Sequence, residues 1–425
     1  MATPLIINGG KPLSGAVRIS PAKNAALPIL AASLLTPEPV VLEEVPRLKD
    51  IEVMLELLAH LGTRYAWEGR SLYLETPEIV RTDAPYELVA KMRASFIVLG
   101  ALLARAGEGQ VSMPGGCAFG PRPVDQHLKA LRKIGALVEE DAGTFRAEKV
   151  RPLRGRVVFD VPTVGGTEQV LLATALGDAE VTIVNAAQEP EVADLARFLI
   201  RMGAEITGAG TSVVHVRGAA RLSGVRGYRI IPDRIEAGTF LLAAAATRGR
   251  IRLLDAEPSH LDALLDKLSE AGHRILVEGR TIHFQATDDP RPFNVEAREY
   301  PGFPTDLQPI VGAYLATVPG TSLVSDRVYP ERFTHAAELA RMGAELQLKE
   351  RTLAIHGREL FGAEVRALDI RAGGALVVGA LAARGESRIE GTHHLERGYE
   401  DLVAKLRGLG AEVGRAEPKL EEAAD

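Results

Sequence analysis

The chain carries one cysteine, and its neighbours are those of a reactive thiol. Cys117 lies in Pro114 to Leu128, PGGCAFGPRPVDQHL. Gly115 and Gly116 stand before it and Gly120, Pro121 and Pro123 after it, so the segment reads as a mobile, solvent-facing loop. Val124, Leu128, Leu131 and Ile134 then recur at helical spacing, which puts a helix N-terminus near Arg122 and Asp125. A thiol beside a helix N-terminus and a guanidinium is activated, as nucleophile or as acid. A lone cysteine elsewhere is more often a small buried hydrophobe, and the Gly/Pro loop argues against that here.

Cations stand where helices are predicted to start. Lys23 precedes the helix expected from Asn24, Arg93 the one from Ser95 and Arg122 the one from Val124. In the second half Arg332 precedes the helix around His335, Arg371 the one from Gly374 and Arg397 the one from Gly398. A helix N-terminus is already positive, so a cation there is mildly unfavourable unless an anion binds. A single such residue reads as a solvated surface side chain. Recurrence in both halves points to a polyanionic small ligand held between two domains. Asp306, in YPGFPTDLQPI, is a candidate general base, the plain alternative being a helix cap by Thr305 or Asp306. A base there would need desolvation in a closed cleft.

The elements that must position these residues repeat. An amphipathic helix pattern ending in glycine and followed by a strand occurs six times, at Gly62, Gly135, Gly203, Gly272, Gly343 and Gly410. A more apolar, Ala-rich helix alternates with it, starting near Ala25, Ser95, Glu168, Ala237, Asp306 and Gly374. Each repeat is therefore expected to hold one buried helix, one solvent-facing helix and a few strands, an α/β fold. Six repeats exceed one core, and a three-plus-three division near Arg221 to Asp233 follows. A strand predicted over Leu5 to Ile19 precedes the first helix and could pair with either half.

Composition limits the function classes. The 425 residues are 46% hydrophobic and 25% charged, as in a soluble globular protein of about two to four domains. The net charge, 50 − 56 = −6, argues against a nucleic-acid binder. One cysteine excludes an intrachain disulfide and suits a reducing compartment. The start has no signal-peptide pattern, and the longest apolar run, near Phe240 to Ala246, is too short to cross a bilayer, so a cytoplasmic, membrane-free protein is expected. His393-His394 lacks ligand spacing, and there is no CxxC, HExxH, GxGxxG or Walker loop, so neither metal nor cofactor is expected.

PAKNAALP at Lys23, KMRAS at Arg93, PGGCAFGPRPVD, PTVGGT at Thr163, FPTDLQ at Asp306, YPERFTH at Arg332, DIRAGGA at Arg371 and ERGYE at Arg397 together closely resemble the enolpyruvyl transferases that use UDP-N-acetylglucosamine, the UDP-N-acetylglucosamine 1-carboxyvinyltransferases, over about the whole chain. The resemblance implies a two-domain inside-out α/β barrel of six βαβαββ-type repeats, three per domain. One domain would span 22–231 and carry Cys117. The other would join 1–21 to 232–418 and carry Asp306, leaving 419–425 as a frayed tail. It also implies transfer of the enolpyruvyl group of phosphoenolpyruvate to the 3′-hydroxyl of UDP-N-acetylglucosamine, with release of phosphate, as the first committed step of peptidoglycan synthesis. By the same resemblance Cys117 donates a proton, and can form a covalent adduct with phosphoenolpyruvate, while Asp306 takes the hydroxyl proton. Lys23, Arg122 and Arg397 hold phosphoenolpyruvate, helped by Arg332 and Arg371. Asn24, Arg93, Pro123, Val124, Asp125, Gln126, His127, Thr163, Val164, Gly165, Asp306 and Val328 line the nucleotide-sugar site. Val161-Pro162 stands where some relatives carry a lysine, and Gly373-Gly374 where some carry serine. A monomer is favoured. Transfer to shikimate 3-phosphate, on the same fold without the Cys loop, and a repeat scaffold binding polyanions are the competing readings.

Overall fold

A computed structural model describes residues 3–114 and 124–416. The expectations for Cys117, Arg122, Pro123 and the 419–425 tail lie outside the described residues. The chain divides into two compact units, one within Ser20–Ile231 and one within Met1–Ile19 and Pro232–Asp425.

Each unit holds three four-stranded sheets among the described residues, and all six share one plan. An edge strand pairs in parallel with the second strand, which begins an antiparallel run of three. In the first unit, for example, Arg154–Val158 pairs in parallel with Glu180–Val184, then Val213–Arg217 and Glu205–Thr207 follow antiparallel. The parallel step needs a helical crossover, and helix Val164–Thr174 supplies it. The antiparallel pair needs only a tight connection. Every repeat is thus strand, helix, strand, helix, hairpin, and its sheet can face solvent on one side. Along Ser71–Glu75, Leu72 and Leu74 are buried while Tyr73 between them is 40% exposed.

The two helix types separate as their composition requires. Lys23–Ala32, Val98–Ala106 and Val164–Thr174 lie in the core of one unit, and Arg234–Ala246, Gln308–Leu315 and Ile370–Ala382 in that of the other. All thirteen residues of Arg234–Ala246 are buried, because the helix is packed on every side and a polar face would have nowhere to go. Helices such as Asp125–Ile134 and Pro190–Met202 bury one stripe each. The six repeat glycines all have positive φ, from 87° at Gly410 to 118° at Gly62 and Gly203, the left-handed conformation that ends these helices.

The predicted strand over Leu5 to Ile19 is two strands, Leu5–Asn8 and Ser14–Arg18, in different sheets. Gly10 turns the chain at φ 88° and Pro12 lacks an amide proton, so one ladder cannot run through. Both strands pair within the second unit: Leu5–Asn8 lies between Glu386–Glu390 and Glu412–Arg415, and Ser14–Arg18 pairs in parallel with Arg250–Leu254. Conversely Arg226–Arg229, just before helix Arg234–Ala246, pairs in parallel with Val40–Glu43 of the first unit. The chain therefore crosses between the units twice, and at each crossing the strand that opens a repeat belongs to the other unit's sheet.

Candidate active site

Asp306 sits in the short 3-10 turn Thr305–Leu307 that leads into helix Gln308–Leu315. Neither Thr305 nor Asp306 caps that helix, so the simple capping alternative is wrong. Each carboxylate oxygen instead accepts from an arginine: Oδ1 from Arg332 Nη1 at 2.6 Å, and Oδ2 from Arg371 Nη2 at 2.9 Å. The arginine side chains are 4% and 7% exposed, whereas Asp306 keeps 23%, so the carboxylate is the reachable member of the cluster. Thr305 Oγ1 accepts from Arg332 Nη1 at 3.1 Å and donates to Asp326 Oδ2 at 2.6 Å. Asp326 Oδ1 in turn accepts the backbone N–H groups of Val328 and Tyr329, at 2.8 and 2.7 Å. Asp326 thus ties the turn carrying Asp306 to the loop carrying Val328 and Arg332. Burial works against the Arg371 charge, but Asp306, Tyr399 and Asp233 outweigh it and hold its pKa above the ordinary guanidinium value. The Asp369 carboxylate caps helix Ile370–Ala382, accepting from the N–H of Arg371 and Ala372 at 2.8 and 2.9 Å, so Arg371 is set by the first turn.

The first unit gathers a second group. His127, on the buried stripe of helix Asp125–Ile134, is 5% exposed and meets the Phe96 ring edge-on at 5.3 Å. Burial, then the Arg93 charge, push its pKa down to about 4, so the imidazole is neutral. Gly165 lies against this ring: a Cβ there would stand 2.9 Å from His127 Cε1. Only the absence of a side chain lets helix Val164–Thr174 come this near. Thr163 caps that helix, its Oγ1 accepting from Gly166 N at 3.3 Å, and its carbonyl accepts from Thr167 Oγ1 at 2.8 Å. Gln126 donates to Asp160 Oδ2 at 2.9 Å, and Lys129 binds both Asp160 oxygens at 2.6 Å. Lys129 lowers the Asp160 pKa, with Gln126 adding to the effect. Asp125 is exposed and Val124 is the buried residue that precedes the helix.

Lys23 is the first residue of helix Lys23–Ala32 rather than the one before it. It is 7% exposed and binds Asp50 Oδ2 at 3.0 Å; Asn24, beside it, is half-buried. Arg93 opens the 3-10 helix Arg93–Ile97. Arg397 differs from expectation: it ends the 3-10 helix Leu395–Arg397, and the next α-helix is Leu402–Gly408. Asp401, at φ 50°, breaks the backbone between them. Lys23 pairs with Asp50, and Arg332 and Arg371 share the one carboxylate of Asp306, since a buried cation needs a countercharge nearby. Within the second unit the structure brings Asp306, Val328, Arg332 and Arg371 together. Within the first it brings Arg93, His127 and Gly165 together. Asp50, Asp326 and Tyr399 escaped sequence reasoning, since their partners lie 27, 21 and 160 residues away.

Known proteins are similar to this chain over nearly its whole length. The family model described as EPSP synthase (3-phosphoshikimate 1-carboxyvinyltransferase) matches residues 7–406. The UDP-N-acetylglucosamine 1-carboxyvinyltransferase of Thermus thermophilus is 68% identical over 421 residues, 99% of either chain. That of Deinococcus radiodurans is 53% identical over 420 residues, 98% of either chain. Among solved structures, the enolpyruvyl transferase NikO from Streptomyces tendae is similar at a TM-score of 0.87 and 26% identity, over 98% of this chain and 99% of its own. With full-length identity of this order and a shared mixed α/β architecture, the chain belongs to the EPSP synthase family of 1-carboxyvinyltransferases and, within it, to the UDP-N-acetylglucosamine 1-carboxyvinyltransferases.

Proposed function

We propose that this chain transfers the enolpyruvyl group of phosphoenolpyruvate to the 3′-hydroxyl of UDP-N-acetylglucosamine, releasing phosphate. The observation that carries the reading is full-length identity to relatives named for this transfer, and the reachable carboxylate of Asp306 held by two buried guanidiniums supports it. In the addition step Cys117 gives a proton to the methylene carbon of phosphoenolpyruvate. The sugar oxygen bonds to the neighbouring carbon, and its proton passes to Asp306. Elimination then breaks the carbon–oxygen bond to phosphate, while the new methyl group loses a proton and the double bond re-forms. Fixing both oxygens of Asp306 serves a general base, which must be oriented before it can accept a proton.

Lys23, Arg122 and Arg397 hold phosphoenolpyruvate in this reading, with Arg332 and Arg371 beside Asp306. Asn24, Arg93, the run from Pro123 to His127, Thr163 to Gly165 and Val328 hold the nucleotide sugar. A neutral His127 suits contact with the sugar or base, since its uncharged ring can both donate and accept. The enzyme acts as a monomer in the cytoplasm, at the first committed step of peptidoglycan synthesis. Phosphate release from phosphoenolpyruvate, measured with UDP-N-acetylglucosamine or shikimate 3-phosphate as acceptor, tests this. Release with the nucleotide sugar alone is expected; release only with shikimate 3-phosphate, the acceptor of the enzyme that names the family model, transfers the chain to that activity. Cys117→Ala abolishes turnover and alkylation by the epoxide fosfomycin, and an alanine variant with full activity removes Cys117 from the mechanism.

A further inference from the structure

We infer that Tyr399, backed by Thr239, is a positioning residue that holds the Arg371 guanidinium in place on Asp306. This rests on the reading of Asp306 as the group that takes the sugar proton. Thr239 lies inside the buried helix Arg234–Ala246, and its hydroxyl reaches the Ile235 carbonyl at 2.7 Å. A carbonyl can only accept, so the single Thr239 proton is committed there. Thr239 Oγ1 also lies 3.0 Å from Tyr399 Oη, and in that pair the phenol must be the donor. With its proton turned toward Thr239, the phenol oxygen presents lone pairs to its other side.

The cation beside this ring and its hydroxyl is Arg371. Its guanidinium carbon is 6.0 Å from the Tyr399 ring centroid. Arg371 Nη2 is on Asp306, whereas Nη1 is buried without a hydrogen-bond partner among the described residues, near Gly398. The pull of the phenol on this group is therefore weaker than a well-formed hydrogen bond and is shared between its oxygen and its ring face. Burial raises the Tyr399 pKa, while Arg371 and Thr239 act in the opposite sense. Tyr399 is also registered against the helix that carries Arg371. A Cβ at Gly374 would stand 2.5 Å from the phenol oxygen, so glycine at that position makes room for the hydroxyl. Phenylalanine would fill the same space, and a buried hydroxyl is costly unless it is bonded, so its presence calls for a task.

Two experiments separate this inference from the functional reading. In the acceptor assay, Tyr399→Phe and Thr239→Val each lower kcat by about tenfold, with KM for both substrates changed less than about twofold. Thr239→Ser, which keeps the acceptor oxygen, restores most of the rate, and the double variant is no slower than the slower single one. Wild-type kcat in Tyr399→Phe, or multiplicative losses in the double variant, overturns the inference. So does a rate loss that follows the melting temperature. Without any turnover, a thermal cycle of Tyr399→Phe with Arg371→Met reads the contact itself. Non-additivity of more than about 2 °C is expected, and strict additivity overturns the contact even if the enzyme is active.

Discussion

In the proposed mechanism Asp306 serves chemistry and fold together, and the two demands meet in one carboxylate. Its substitution by Asn should abolish turnover, but it also strips the countercharge from Arg332 and Arg371, which are almost fully buried. Removing one partner of a buried pair costs about 3–5 kcal/mol, so Asp306→Asn is expected to melt several degrees below wild type. Calorimetry beside the phosphate-release assay checks both; loss of rate with an unchanged melting temperature shows that the arginines find other compensation. The buried histidines give a second residue-scale prediction. Burial lowers His127, His273 and His335 to about 4, with Arg93, Arg248 and Arg332 respectively adding to it. Each should remain neutral at pH 6, where a free imidazole is about three-quarters protonated. Their contribution to stability is full above about pH 6.5 and is lost as pH falls toward 4, because the unfolded chain takes up protons that the folded chain refuses. Glu168, Asp194 and Asp326, raised by burial, act in the opposite sense and offset part of that slope. Nuclear magnetic resonance titration of the imidazole signals measures the midpoints; midpoints near 6.5 contradict the burial argument.

At the scale of elements, the approach of helix Val164–Thr174 to His127 depends on one missing side chain. Gly165→Ala forces the imidazole aside, since the added methyl falls 2.9 Å from Cε1 and 3.1 Å from Nε2. Overpacking of this kind costs about 1–3 kcal/mol. If His127 contacts the nucleotide sugar, the variant raises KM for UDP-N-acetylglucosamine more than it lowers kcat. A change confined to phosphoenolpyruvate would place His127 elsewhere. The helix caps behave differently. Gly203, at φ 118°, is an end signal read from sequence spacing alone, because a left-handed residue is needed wherever a helix stops and turns into a strand. Gly165 carries no such local signature, and its role follows from a neighbour 38 residues away in the chain.

At the scale of the whole molecule, the first 19 residues belong to the unit formed by the end of the chain. Leu5–Asn8 is an interior strand, with Glu386–Glu390 on one side and Glu412–Arg415 on the other, so its loss leaves two strands without partners. Ser14–Arg18 is an edge strand, and its loss exposes only the side of Arg250–Leu254. Deleting residues 1–19 is therefore expected to unfold or loosen the unit within Pro232–Asp425 while the sheets of Ser20–Ile231 persist. Hydrogen exchange followed by mass spectrometry reads this by segment. Equal loss of protection in both units would mean that they fold as one.

Local physics made much of this protein legible in the sequence. Helix type, strand alternation and the six capping glycines depend on interactions within about a turn or a hairpin, so composition and spacing determined the α/β repeat plan and the presence of one buried and one half-buried helix in each repeat. Motifs at Asp306, Arg332 and Arg371 identified residues that cluster in the second unit. What those residues do to one another was decided only by tertiary structure. Nothing in PAKNAALP shows that Lys23 meets Asp50, and helix-start spacing does not show that Arg332 and Arg371 share the carboxylate of Asp306. The same spacing misplaced Arg397 relative to its helix, because the backbone break at Asp401 has no strong local signal. The N-terminal strands show the distinction most plainly: sequence determined that strand lies within Leu5 to Ile19, but pairing partners are chosen by closure of the sheets, and that energy belongs to segments more than 200 residues away.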